Sequence, residues 1–253
     1  MGPLTFLTAE WRQLVMVNFA VDPAILEPRV PQGTSLDSWN GTTLVSVVGF
    51  LFLRTRVMGV PIPLHRDFEE LNLRFYVKRE ARDGERRGVV FIKELVPRRA
   101  IAAVARYLYN ENYLAVPMAH TFQADPDGSQ GVAYRWLRNG KWGEVGIRTS
   151  GDSSLPSAGS EAEFVTEHYW GYVTQRDGWT LEYRVEHPRW RVWRGVDAHL
   201  ACDAADLYGA EFAATLSRPP TSAFLAEGSE IVVRRGEPIT RTPSRRSPSR
   251  TST

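Results

Sequence analysis

The chain has 253 residues, 31 Lys plus Arg against 29 Asp plus Glu, and one cysteine, Cys202, which excludes an intrachain disulfide and any cysteine-based metal cluster. No apolar run approaches the roughly 20 residues of a membrane helix, and the best candidate, residues 43–53, stops at Arg54. The net charge of +2 is concentrated at one end: residues 240–253 hold Arg241, Arg245, Arg246 and Arg250 and no acid, so removing those four leaves −2 for the rest, which argues against a specific nucleic-acid surface.

The N-terminal residues lack a basic region followed by an apolar stretch and a small-residue cleavage site, so a cytoplasmic protein is expected. Residues 9–14 read as a short helix and 15–21, VMVNFAV, as a strand. Asp22 can cap, and Pro23 open, a short helix that ends before Pro31. Residues 42–53 are apolar on nearly both faces, as for a strand in the middle of a packed sheet. A Pro-punctuated loop over 58–67 leads to a strand in DFEELNLRFYVKRE, residues 67–80, which returns through a hairpin at Asp83-Gly84 as VVFIKEL.

From Pro97 to residue 109 a small-apolar face without an interior breaker predicts a helix that ends near Asn110 and Asn112. Asn139-Gly140 predicts a tight hairpin, and residues 150–161 read as a flexible loop. Strands over 164–174 and 180–193 flank a turn at Asp177-Gly178, a helix follows over 203–216, and a last hairpin or strand pair lies at 222–236. The tail 240–253 has no apolar residue to bury and is expected to be disordered, leaving 1–239 as a single domain. Many hairpin-linked strands with two helices predict an α+β, mainly β fold built on an antiparallel barrel or strongly curved sheet.

The strand at 68–77 carries the functional question. One face holds Leu71, Leu73, Phe75 and Val77; the other holds Glu70, Asn72, Arg74 and Tyr76. Alternate residues on a face lie about 6.6 Å apart, so Glu70 and Arg74, roughly 13 Å apart, must find separate partners. On an outer wall, water suffices. Turned inward, the row supplies a carboxylate, an amide, a guanidinium fork and a phenol, a set suited to a small carboxylate or carbonyl compound.

Residues 41–77, together with RRGVVFIKELVPRRAIAAVARYLYNENYLAVPM, TEHYWGYV and VEHPRW, resemble the YqjF-like family, an uncharacterised group within the acetoacetate decarboxylase-like superfamily. The resemblance covers roughly residues 10–235 and implies a cone-shaped, largely antiparallel β-barrel around a central cavity with two or three flanking helices. It also brings a homo-oligomer into consideration.

Acetoacetate decarboxylases use a Schiff-base lysine with a second lysine beside it, but the matching stretch here, ARYLYNENYLAV, has none, so Schiff-base chemistry is not expected at that position. The chain has only Lys78, Lys93 and Lys141. Strict alternation puts Lys93 on the face of Val89, Phe91 and Leu95, where an inward orientation would make it a buried amine. The five histidines show no metal-binding spacing, and no cofactor motif is present, so neither metal nor cofactor is expected. His187, held extended by Pro188, is a candidate acid or base, with a structural bond to a backbone carbonyl as its alternative.

The leading expectation is a protein that binds a small organic ligand, with Asn72, Arg74, Tyr76, Arg106 and Tyr113 as binding residues and Glu70 and His187 as proton-transfer groups. A lyase or hydrolase acting on a small keto or hydroxy acid without a lysine nucleophile is one alternative. A protein acting through its basic tail is another.

Overall fold

The computed structural model describes residues 4–61, 66–97 and 112–239. The helix expected from Pro97, Arg106, His65 and the tail 240–253 lie outside the described residues.

Among the described residues, fifteen strands join in one hydrogen-bonded array. The first eight are β1 (Thr5–Ala20), β2 (Ser35–Leu36), β3 (Leu44–Val57), β4 (Val60–Pro61), β5 (Phe68–Ala81), β6 (Gly84–Val96), β7 (Tyr113–Ala115) and β8 (Met118–Ala124). The others are β9 (Gln130–Arg138), β10 (Lys141–Thr149), β11 (Trp170–Thr174), β12 (Thr180–Glu186), β13 (Val192–Ala201), β14 (Ser222–Arg234) and β15 (Glu237–Pro238). Among the described residues, four short α-helices accompany them: α1 (Pro23–Leu26), α2 (Glu161–Thr166), α3 (Ala204–Tyr208) and α4 (Ala210–Leu216). None of the described helices is long and apolar enough to cross a membrane.

The strand path closes on itself. It runs β12, β11, β6, β5, β3, β1, β14, and β14 pairs back to β12 through Val185–Val233 and Glu186–Val232. A ring of seven strands cannot alternate direction throughout, and its one parallel pair is β6 with β11. The result is the largely antiparallel cone of the α+β class. From β14 a second sheet, β13–β10–β9–β8, folds over the outside of the cone.

Two cores follow from the alternation. The outer faces of β1, β3 and β5 contribute Val15, Val17, Val45, Val47, Leu71, Leu73 and Phe75, which pack beneath Tyr134, Trp136 and Ile147 of the second sheet and Phe212 of α4. The inner faces contribute Met16, Val48, Phe50, Tyr76 and Ala226, and α2 closes over them with Phe164 and Val165. Gly49 permits the outer packing, because a side chain there would meet the Tyr134 ring at 2.7 Å.

Bulges bend the long strands around the cone. Register shifts interrupt the β1–β3 pairing between Thr8 and Glu10 and between Arg12 and Val15, where Gln13 has φ 56°. Residues 9–14, expected to be helical, are instead strand, paired on both edges: Trp11 faces Phe52 of β3 and Ser229 of β14. The bulge at Gln13 breaks the alternation that would otherwise mark a strand.

Residues 164–166, expected to open a strand, belong to α2. Ser160 Oγ accepts from Glu163 N at 3.2 Å, and the Glu163 carboxylate accepts from Gly159 N at 2.7 Å, a reciprocal cap that starts the helix. The predicted short helix at Pro23 forms with Asp22 as its cap. The 203–216 helix is split at Gly209, and the expected pair of strands at 222–236 is the single bent β14.

Gly228 carries the bend of β14. Its φ is +76°, and a Cβ there would lie 1.9 Å from the Trp11 carbonyl oxygen. Gly228→Ala is therefore expected to destabilise the protein by about 3 kcal/mol or more in urea denaturation, combining left-handed strain with a backbone clash. Gly151→Ala, at φ +67° with nothing within 4 Å, should cost only about 1 kcal/mol.

Candidate functional site

The row Glu70, Asn72, Arg74, Tyr76 points into the cone. Its cross-strand partners on β3 are Phe50, Val48 and Ser46 opposite Glu70, Asn72 and Arg74, and Phe50 and Val48 belong to the inner core. Glu70 is 3% exposed and Asn72 2%. On the other side of β5, Glu94 of β6 faces Asn72 and is itself 2% exposed, a second carboxylate on the inner face.

One irregularity decides what joins them. Leu73 pairs with Lys93 but Arg74 pairs with Phe91, so Ile92 is an extra residue in β6. Lys93 thereby falls on the outer side with Leu73, near Asp206 of α3, while Phe91 packs on the inner core. The alternation that put Lys93 beside Phe91 is overturned by this bulge. Lys78, at the end of the row, pairs with Glu85, and Lys141 is exposed beside the Asn139-Gly140 turn.

Glu70 and Arg74 are held by separate partners, as their spacing requires. Glu70 accepts from Asn72 Nδ2 at 3.4 Å and from the Tyr113 hydroxyl at 3.3 Å. Burial raises its pKa to about 7, against the lowering effect of those two bonds. Arg74 donates from Nη2 to the Val165 carbonyl at 2.9 Å, and its guanidinium lies 5.6 Å from the centre of the Tyr76 ring. Asn72 Oδ1, Arg74 Nε and Trp11 Nε1 are buried without a hydrogen-bond partner among the described residues.

Tyr76 is inward but its hydroxyl is committed. It shares a 2.6 Å bond with Ser46 Oγ, which donates to Asn18 Oδ1; Asn18 Nδ2 donates to Ser222 Oγ, and Ser222 donates to Glu161 of α2. Since Ser46 donates to Asn18, the phenol is the donor to Ser46. This string ties β5, β3, β1 and β14 to the covering helix. Tyr76 thus contributes its ring to the site more than its oxygen.

His187 lies at the aromatic end of the interior. Its ring stacks on Trp190 at 4.0 Å and lies 4.7 Å from Tyr169, and Trp190 contacts Trp11, which in turn abuts Phe50. His187 Nδ1 donates to the Pro188 carbonyl at 2.8 Å, the structural bond named as its alternative. Burial lowers its pKa, and Arg74 acts in the same direction, which sets the two near each other.

A group that sequence reasoning missed completes the arrangement. His168 packs at a tilt against Tyr76 at 4.7 Å and edge-on to Phe164 at 4.9 Å, and its Nε2 lies 3.2 Å from Asp37 Oδ2, which also accepts from Arg87 Nε at 2.7 Å. Burial brings the pKa of His168 down to about 4, with Arg87 and Arg74 adding to the shift and Asp37 opposing it. His168 sits in the TEHYWGYV motif, but only folding brings Asp37, 131 residues away, beside it. No group of three His, Cys, Asp or Glu side chains is placed to hold a metal ion among the described residues.

Buried Glu70 gives a measurable pH signature. Its folded pKa of about 7 exceeds the model-compound 4.5, so the folded state favours the protonated form; the associated stability is present below about pH 4.5 and is lost as pH rises through 7. Glu70→Gln should therefore gain stability over the wild type progressively from pH 4.5 to 7, by about 3 kcal/mol at the upper end. Denaturation curves of both proteins across that range test this. His168 runs oppositely, losing stability as pH falls from its ordinary value toward 4, so the comparison must be made between variants.

Known proteins share this architecture. The chain belongs to the DUF2071 family, described as an uncharacterized conserved protein, which it matches over residues 8–230. A stretch of 75 residues, 29% of the chain, is 36% identical to the uncharacterized protein YqjF of Bacillus subtilis strain 168 and spans 31% of that protein's length. Among solved structures, the enduracididine biosynthesis enzyme MppR complexed with pyruvate superposes with a TM-score of 0.66, covering 95% of this chain and 92% of its own at 12% identity. Acetoacetate decarboxylase from Legionella pneumophila gives 0.62 over 94% and 88% at 13% identity. An acetoacetate decarboxylase-like enzyme from Sphingomonas wittichii RW1 gives 0.62 over 94% of each chain at 14% identity. At these identities the likeness is one of fold, and it agrees with the acetoacetate decarboxylase-like cone implied by the sequence motifs.

Proposed function

We propose that this DUF2071 family member binds a small organic carboxylate or carbonyl compound inside its β-cone, with Arg74 as the group that holds it. The carrying observation is the guanidinium: Nη2 bonds to Val165, while buried Nε lacks a partner among the described residues. A dry, unpaired guanidinium N–H is costly, and a carboxylate oxygen is its natural complement. Nε and the remaining Nη2 hydrogen form a side-on fork for two carboxylate oxygens.

The other inner residues take roles around that anchor. Asn72 and Tyr113 orient Glu70, the Tyr76 ring forms a wall, and His187 borders the apolar end with Trp190 and Trp11. Arg106, outside the described residues, stands as a second candidate for the anion. The pyruvate bound by the similarly folded MppR supports a small oxo acid as a first probe. The reading requires no cofactor.

An enzymatic reading has one observation in its favour, the carboxyl of Glu70 raised to about 7, which can both give and take a proton near neutral pH. No lysine shares the inner face with it at the β6 bulge, so the chemistry would be acid–base and not imine formation.

Calorimetric titration with pyruvate and acetoacetate tests the anchor. Binding to the wild type should weaken at least about tenfold in Arg74→Gln, with melting temperature as the check on folding. Equal affinity in both proteins would place the carboxylate elsewhere. For the enzymatic reading, turnover of a panel of small keto and hydroxy acids should fall at least about a hundredfold in Glu70→Gln.

A further inference from the structure

The inner face has hydrogen-bonding capacity that an oxo acid does not match. Besides the donors Arg74 Nε and Trp11 Nε1, two buried acceptors lack partners among the described residues: Asn72 Oδ1 and His168 Nδ1. Asn72 is 2% exposed and the His168 side chain 1%, so bulk water does not serve them. Both are held in acceptor orientation. Asn72 turns its Nδ2 to the Glu70 carboxyl, which leaves the amide oxygen outward. Asp37 is an ionised carboxylate bound to Arg87, so the His168 nitrogen facing it carries the proton and Nδ1 is left with a lone pair.

These acceptors belong to one region. Asn72 and Arg74 are alternate residues on the inner side of β5, and Arg74 and His168 both flank the Tyr76 ring, at 5.6 and 4.7 Å from its centre. A keto carboxylate presents only oxygen lone pairs. It would satisfy Arg74 and leave both acceptors facing further acceptors in a dry site. A ligand carrying its own donor next to the carboxylate removes that mismatch. At His168 a neutral donor fits better than a cationic one, because the Arg74 guanidinium lies against Tyr76, which packs on that ring, and Arg87 is bonded to its partner Asp37, whereas the inner carboxyls Glu70 and Glu94 lie at Asn72.

We infer that the ligand is a hydroxy carboxylate, whose carboxylate pairs with Arg74 and whose hydroxyl donates to His168 Nδ1 or Asn72 Oδ1. The inference rests on the binding reading above and narrows it. His168 is here a binding residue, positioned by Asp37, and Arg87 keeps Asp37 ionised.

The test compares ligands that differ by two hydrogens. Each enantiomer of lactate against pyruvate, and of 3-hydroxybutyrate against acetoacetate, is titrated calorimetrically into the wild-type protein. One hydroxy acid should bind at least about tenfold more tightly than its oxo partner. In His168→Phe, which keeps a flat ring between Tyr76 and Phe164, the preference should fall to about twofold or less, and Asn72→Leu gives a second, independent removal of an acceptor. Oxo acids binding as tightly as hydroxy acids would overturn this inference and leave the Arg74 reading standing. Failure of all six ligands to bind at millimolar concentration would overturn both. The wild-type comparison decides even where a variant does not fold.

Discussion

Two carboxyls, an amide and a guanidinium inside a sheet whose other inner residues include Val, Phe, Met, Tyr and Trp set the terms for the whole molecule. Burying such groups is unfavourable by several kcal/mol unless each finds a partner, and charged ones most of all. The fold meets this demand piecemeal. Tyr113 and Asn72 serve Glu70, the Val165 carbonyl at the end of α2 serves one nitrogen of Arg74, and a directed string from Tyr76 through Ser46, Asn18 and Ser222 ends on Glu161. What is left over among the described residues of the inner face is two N–H donors, on Arg74 and Trp11, and two acceptors, on Asn72 and His168.

The covering helix is as much a part of this as the strands. α2 is only six residues long, yet it supplies Phe164 and Val165 to the inner core, the carbonyl that anchors Arg74 and the carboxylate that ends the polar string. Its cap at Ser160 and Glu163, braced by Arg189, fixes the element that shields the row from water. Shielding is what gives the site its electrostatic character: the same burial raises Glu70 and lowers His168, so a carboxylic acid and a neutral imidazole coexist near neutral pH.

Much of this was legible from residue order. That Glu70, Asn72, Arg74 and Tyr76 share one face of β5 follows from period two, although its inward direction does not; the Asn139-Gly140 hairpin forms with φ 50° and 73° as that dipeptide demands, and Asp22-Pro23 opens its short helix. What alternation could not give were the places where it fails. The left-handed residue at Gln13 hid a strand inside an apparent helix, and the extra residue at Ile92 placed Lys93 outside and Glu94 inside. The Asp37–His168–Arg87 group is legible only in three dimensions, because its members come from the segment after β2, the segment after α2, and β6. The cap of α2, by contrast, was readable: Ser160 and Glu163 have the spacing of a capping box within what reads as a loop.

The bulge in β6 also fixes the sign of the charge that the cone encloses. Were the strand to run smoothly past Phe91 with all its residues retained, everything from Lys93 to Val96 would turn over: an ammonium would replace a carboxylate opposite Asn72, with Arg74 already close by. Two cations crowded together is the environment that frees an amine for attack on a carbonyl, whereas two acids beside a guanidinium suit proton exchange and anion pairing. A single misaligned residue thus separates two kinds of chemistry on one scaffold without any change in amino-acid inventory.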